Sequence, residues 1–212
     1  MKWNSLLIFI PFACALSASV CVAATYKSQD DLRSKVSQAV SRAFPQEAES
    51  SRKQLIALGV SAIPFIVEIV QSGANLTPIK KAFLIDIVAS LKGQQSASAL
   101  TSLLGDTDPY VRGLAATYAG KQRLKVAVPH LVNLLNDKEV YKTIVQTDPF
   151  TERDVLVRDV AIETLQAIAG IALAQRGSKD EQVKAWLRWW HKQQRVKRIS
   201  NTRLILLVAE SS

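Results

Sequence analysis

The chain has 212 residues and a formal net charge of +9, and it is long enough to bury a core without covalent cross-links. Its two cysteines, Cys14 and Cys21, lie among the first 24 residues. The rest of the chain can therefore form no disulfide, zinc–thiolate site or thiol nucleophile. We expect one domain or one continuous helical repeat.

Residues 1–24 have the pattern of a secretory signal peptide. Lys2 supplies a positive start, an apolar run extends from Leu6 to Leu16, and small residues follow as far as Ala24. We expect cleavage after Ala24 and export to the periplasm or out of the cell. The alternative is an uncleaved membrane anchor, since a spanning helix needs about 20 apolar residues and this stretch approaches that length. Pro11 and the small residues argue for cleavage.

Residues 25–45 are predicted to form an N-terminal capping helix. Apolar residues recur here every three or four positions, which is the helical period. Five of them fall on one stripe of the helix: Leu32, Val36, Ala39, Val40 and Ala43.

Residues 46–176 contain a repeated pair of helices. The first helix of the pair recurs at 50–59, 77–93, 108–120 and 154–170. Each copy carries a basic residue near its start: Arg52, Lys80, Arg112 and Arg158. The second helix recurs at 59–73, 96–106 and 126–137, with equivalent apolar residues at Ile66, Leu100 and Leu131. Because one pair cannot bury its apolar stripe alone, the pairs are expected to stack into a continuous core.

The segments DPYVRGLAATYAG and DVLVRDVAIETLQAIAG resemble the HEAT-repeat family in its short, phycobilisome-lyase-like form. The family's Asp and Val-Arg are matched by two sets of residues, namely Asp108, Val111 and Arg112, and Asp154, Val157 and Arg158. The resemblance covers roughly residues 46–195. It implies an all-α fold, an α-α superhelix (a HEAT-type solenoid) of about four helix pairs with N- and C-terminal capping helices. It also implies a binding scaffold.

The Asp and the Arg of these segments are predicted to stabilise the repeat. An Asp at a helix start accepts hydrogen bonds from unpaired backbone N–H groups. An Arg one turn later can pair with that Asp or with the Asp of a neighbouring repeat. We therefore interpret both residue types as a structural ladder rather than as catalytic groups.

The second helices are predicted to line the partner-binding surface. Their alignment places polar and aromatic side chains in a row: Phe65, Glu68, Ser102, His130 and Asn133. An insertion at residues 137–153 interrupts the repeat and adds Tyr141 and Phe150, which we also predict to contact a partner. The alternatives are a solvated helix face for the row and a connector folded onto its own repeat for the insertion.

Residues 177–212 are predicted to form a basic, Trp-rich C-terminal cap with an apolar tail. Trp186 and Trp190 are one turn apart and are expected to close the core, whereas Trp189 is expected to be exposed. Leu204–Ala209 is expected to be a strand or an apolar strip over the last helix pair.

A basic stripe at helical spacing runs along the same segment: Lys184, Arg188, Lys192 and Arg195. Together with Trp189 it could attract anionic lipid or an acidic polymer, and an ordinary solvated face is the alternative. Nucleic acid is not expected as a partner, because export separates the protein from it.

The sequence contains no recognised catalytic or metal motif. His130 and His191 lie in separate repeats without metal-ligand spacing, and neither a Gly-rich phosphate loop nor a G-x-S-x-G turn is present. We therefore expect no enzyme activity, no cofactor and no metal. The predicted function is that of an exported scaffold that binds another protein. The alternative is a peripheral binder of lipid head groups or acidic glycan.

Overall fold

The computed structural model describes residues 13–43, 47–73, 76–147 and 150–209. These residues form nine α-helices: α1 (Ala13–Arg42), α2 (Ala48–Leu58), α3 (Ile63–Gln71), α4 (Pro78–Leu91), α5 (Gly93–Leu103), α6 (Pro109–Lys121), α7 (Val128–Asn133), α8 (Val157–Ala169) and α9 (Lys179–Ala209). They also form one antiparallel hairpin of β1 (Val140–Thr147) and β2 (Phe150–Leu156). Short 3-10 turns occupy Gly59–Ala62, Lys125–Ala127 and Leu134–Asn136. The fold is therefore all-α, as the repeat predicts, and one small hairpin is added to it.

The chain divides into two compact units, residues 1–55 and 56–212. In the first unit, the apolar stripe predicted for the capping helix is mostly buried: Val36, Ala39, Val40 and Ala43. Residues 1–12 of the expected signal peptide lie outside the described residues, and the expected cleavage site after Ala24 falls within α1.

In the second unit, each helix packs on its neighbours along the chain. The helix α4 contacts α3, α5 and α6, and α6 contacts α5 and α8. The helix α8 in turn contacts α7 and α9. Ile66, Leu100 and Leu131, which the repeat aligns, are all completely buried. The periodic positions thus form one core that passes from repeat to repeat.

Two of the first helices begin in the same way. Thr77 caps α4 by accepting a hydrogen bond from the Lys80 backbone N–H (3.4 Å), and Asp108 caps α6 by accepting one from the Tyr110 N–H (2.8 Å). A proline follows each cap, where its fixed φ suits the first turn and its missing N–H has no helical partner. Thr77 therefore replaces the Asp that the family pattern has at this place.

The insertion forms a hairpin rather than a loop. The strands pair from Val140 with Leu156 to Thr147 with Phe150, and the register shifts between Val140 and Lys142. Its β-branched residues favour an extended chain, and pairing within the insertion satisfies the backbone without changing the helical repeat. The shift leaves Tyr141 as an extra residue in β1, which is the geometry of a β-bulge.

The C-terminal segment is helical for longer than predicted. The backbone of α9 continues to Ala209, so the strand expected at 204–209 is wrong, while the apolar strip over the last helix pair stays a prediction. The apolar run at 204–209 has no break after the basic segment, and no Gly or Pro interrupts residues 178–212.

Among the described residues, Ala48–Gln71 has the length of a membrane span and contains an 18-residue window with a mean hydropathy of 1.7. It is not one continuous α-helix, because Gly59 has a φ of +66° and begins a 3-10 turn between α2 and α3. Ile63, Ile66 and Val70 on α3 are buried, and α3 packs on α4 and α5. Length and composition alone therefore do not assign this stretch to a membrane.

Candidate binding surfaces

Ion pairs join the successive repeats. Lys81 on α4 pairs with Asp108 at the start of α6, and Arg158 on α8 pairs with Asp180 at the start of α9 (2.8 Å). Each basic residue therefore pairs with an acidic residue further along the chain. Of the two predicted pairings, this is the one between neighbouring repeats. Lys81, not Lys80, lies at the place of Arg112, three residues after the proline of its helix.

Arg112 is the most connected member of this ladder. It is only 9% exposed, and its Nε donates to Asp137 at 2.7 Å while Nη2 donates to Glu139. Its Nη1 donates to the carbonyls of Asp106 (2.8 Å) and Thr107 (3.0 Å). Burial lowers the pKa of Arg112, but the two carboxylates raise it more, so the group stays charged. Arg112 thus ties the loop before α6 to the base of the hairpin.

Asp108 and Asp154 have different roles although both match the family pattern. Burial raises the pKa of Asp108, but the Lys81 ammonium and the Tyr110 N–H lower it more. Asp154 does not begin a helix, because it lies in β2 and accepts a hydrogen bond from Thr143 Oγ1 (2.7 Å). The cap that we predicted for it is therefore wrong, and Asp159 accepts the bond from the Leu156 N–H (3.3 Å).

The second helices form two shallow grooves. One groove of about 440 Å³ lies between α3 and α5, and Ser102 lines it together with Pro64, Val67 and Ser98. The other, of about 470 Å³, is more polar and is lined by His130 and Asn133 on α7, by Arg112, and by the loop before α6. Ser102, His130 and Asn133 are exposed.

Four other predicted contact residues lie elsewhere. Phe65 is half-buried and Glu68 is exposed on α3, and neither lines the two grooves. Tyr141 is buried, 5.6 Å from the Tyr110 ring, and burial raises its pKa. Its ring packs on α6 and is not available to a partner. The backbone of Phe150 pairs with Thr147, and its side chain lies outside the described residues.

The basic stripe and the buried Trp186 lie on different sides of α9. Lys184, Arg188, Lys192 and Arg195 are all exposed. At about 100° per residue they lie opposite Trp186, which is completely buried. Trp189 is partly buried rather than exposed, because its ring packs edge-on against Trp186 at 5.2 Å and lies 6.4 Å from Trp190.

A larger surface was not found from the sequence. We call it the apolar trough: a groove of about 810 Å³ lined by Lys125, Val126, Val128, Pro129, Ile168, Ala169, Ile171, Trp189, Trp190 and Gln193. Val126 is 62% exposed and Ile171 is 39% exposed, both outside regular α-helix. These residues lie just before α7 and just after α8, and only the fold brings them onto one surface.

No catalytic centre is evident in the part of the chain that the structure describes. Within it, no three His, Cys, Asp or Glu side chains are close enough to hold a metal ion. Asp108, Arg112 and Tyr141, whose pKa values are shifted, have structural partners in their repeats.

The comparisons with known proteins agree with the helical architecture. The family model described as HEAT repeats matches residues 63–146, which extend from α3 into β1 and include both grooves of the second helices. No curated protein and no solved structure gives a significant match to the chain. The resemblance noted in the sequence is thereby confirmed over this region, and residues 63–146 contain HEAT repeats.

Proposed function

We propose that this protein is an exported, non-catalytic scaffold that binds another protein on the surface of α3, α5 and α7. The observation that carries the proposal is the row of exposed polar side chains along the two grooves, within the segment that matches HEAT repeats: Ser98, Ser102, His130 and Asn133. HEAT repeats generally mediate protein–protein interactions.

The charges of the repeats support this choice of surface. Charged groups near the starts of the first helices form ion pairs within the protein. The pairs of Lys81 with Asp108 and of Arg112 with Asp137 are examples. Along the two grooves the second helices instead offer uncharged hydrogen-bonding groups above a buried core. A surface of this kind binds through shape and hydrogen bonds, and such binding depends little on salt.

The test is affinity capture from the envelope fraction of the source cell, with washes at low and then high salt. Ser98→Arg places a bulky charge in the groove between α3 and α5, and we expect it to reduce the captured partner at least about tenfold. The matched control is Ser90→Arg, an exposed serine on α4, which should leave capture unchanged. A partner that both variants retain equally would contradict this surface.

A second candidate function follows from α9. None of Lys184, Arg188, Lys192 and Arg195 has an ion pair in the described part of the chain, and residues 176–203 contain nine bases and two acids. This face could bind lipid head groups or an acidic glycan at the membrane surface.

The two functions respond oppositely to a charge reversal. Lys184→Glu with Arg188→Glu should abolish binding to anionic vesicles and leave protein capture intact if the scaffold proposal holds. Lys138→Glu with Arg153→Glu is the matched control, because it makes the same charge change at two exposed residues near the hairpin. Recovery of only lipid or acidic polymer, lost at high salt, would favour the second function.

A further inference from the structure

The apolar trough has the properties of a protein-binding groove. It is the largest of the three described grooves, at about 810 Å³, and eight of its ten lining residues are apolar or aromatic. Val126 and Ile171 project apolar surface into solvent on its walls. Exposed apolar surface in one concave place marks interaction sites, since isolated proteins otherwise bury such groups.

The charge around the trough selects the occupant. No carboxylate lines it, and the charged lining group is Lys125. Exposed Lys121 and Arg123 lie just before Lys125 in the chain, and exposed Lys192 follows Trp189 by one turn of α9. An occupant that carries acidic groups beside its apolar ones would therefore meet complementary charge at the rim.

The openness of the walls favours a helix over an acyl chain. An acyl chain gains its binding energy from complete removal from water. Val126 is 62% exposed, so the trough would leave much of such a chain wet. An amphipathic helix needs only one face buried, and Trp189 and Trp190 offer the flat aromatic surface on which its apolar stripe can lie.

A second copy of the chain fits less well. The trough includes α9, whose segment 176–203 carries nine bases and two acids. Two such segments facing each other would place like charges together, which opposes association.

We propose that the trough binds an acidic amphipathic helix of the partner protein. Its apolar stripe lies on Trp189, Trp190 and Val126, and its carboxylates face Lys125 and Lys192. The inference rests on the proposed scaffold function and adds the chemistry of the partner.

The experiment uses the full chain and a synthetic helix of about 18 residues, five turns long. The probe has Leu at helical spacing and Glu elsewhere, and the control peptide has Lys in place of every Glu. Binding is followed by the blue shift of tryptophan emission. We expect the Glu peptide to bind at least about tenfold more tightly than the Lys peptide at low salt.

Two variants connect this binding to the trough. Val126→Glu adds a carboxylate at a wall residue that is 62% exposed, and it should lower the affinity for the Glu peptide about tenfold or more. Val60→Glu is the matched control, because Val60 is 42% exposed and does not line the trough, and it should not change the affinity.

Equal affinity for the two peptides, or no effect of Val126→Glu on the affinity, would overturn the inference. So would a blue shift that Val126→Glu abolishes but that appears only with fatty acid or lipid vesicles and not with the peptide. Self-association that Val126→Glu abolishes, without peptide binding, would show that the trough holds a second copy instead. If Ser98→Arg abolishes capture of a cellular partner and Val126→Glu does not, the proposed role of the trough is overturned and the scaffold function is retained. If neither variant reduces capture of that partner, the proposed scaffold surface is wrong. The peptide titration then tests the trough independently.

Discussion

The substitution Gly113→Ala tests how the hairpin is held on the helices. A Cβ atom at Gly113 would lie 2.5 Å from Tyr141 Cγ and 3.0 Å from Tyr141 Cβ. Real Cβ contacts are essentially never below 3.0 Å, so the tyrosine and the strand that carries it must move. Overpacking of this kind costs about 1–3 kcal/mol, whereas Gly→Ala within a helix otherwise gains about 1 kcal/mol. The net expectation is a loss of about 0–2 kcal/mol in the free energy of unfolding.

A double-mutant cycle separates these two effects. In a Tyr141→Ala background the clash is absent, so Gly113→Ala should stabilise the protein by about 1 kcal/mol. The coupling between the two substitutions, measured by urea unfolding of all four proteins, should therefore be about 1–3 kcal/mol. Additive effects within about 0.5 kcal/mol, or stabilisation by Gly113→Ala in the presence of Tyr141, would refute the packing of the hairpin on α6.

Three further predictions follow from the structure. The pKa of Asp108 is lowered in the folded protein, so its contribution to stability is present above the unfolded pKa of about 4 and is lost as pH falls through the folded pKa. Asp108→Asn can still cap α6 but does not titrate. The decrease of the urea midpoint below about pH 4 should therefore be less steep in this variant. An unchanged slope would contradict the pair with Lys81. Arg112→Met should lower the free energy of unfolding by about 3 kcal/mol, because it leaves Asp137 and two backbone carbonyls without their donor, and a loss below about 1 kcal/mol would argue against that network. N-terminal sequencing of the exported protein should begin at Thr25, and a start at Met1 in the envelope fraction would favour the uncleaved anchor.

The helical repeats could be predicted because their information is local. Ile66, Leu100 and Leu131 are completely buried, as the three-and-four spacing predicts. Local spacing did not identify which residues pair. Lys80 and Lys81 are adjacent, and only the common distance from Pro78 and Pro109 shows that Lys81 corresponds to Arg112.

The hairpin changed the interpretation of Asp154. Its spacing to Arg158 equals that of Asp108 to Arg112, so the sequence predicts the same cap. Pairing of β1 with β2 places Asp154 beside Thr143 and moves the helix start to Val157. A contact between strands thus overrides a local signal, which is common wherever tertiary pairing competes with capping.

The trough could not be predicted because its walls come from three separate segments, residues 125–129, 168–171 and 189–193. Each segment contributes a few apolar residues that are unremarkable alone. The prediction that Trp189 is exposed is wrong because it overlooked that residues three apart, here Trp186 and Trp189, share a helix face. The neighbouring ends of α7 and α8 provide the additional apolar surface, and this depends on the packing of all three elements.

Salt distinguishes the candidate surfaces because two ion pairs of the repeats are largely buried, whereas the charges of the basic stripe are exposed. The carboxylates that Lys81 and Arg112 bind include Asp108 and Asp137, whose side chains are 28% and 14% exposed. Such pairs are screened far less than exposed charges, for which the Debye length falls to about 3 Å at 1 M salt. The repeats should therefore remain folded in a high-salt wash that removes ligands held by the exposed stripe on α9. Loss of a ligand in that wash then reports on its own charge contacts rather than on unfolding, and a partner held on the second helices should remain bound.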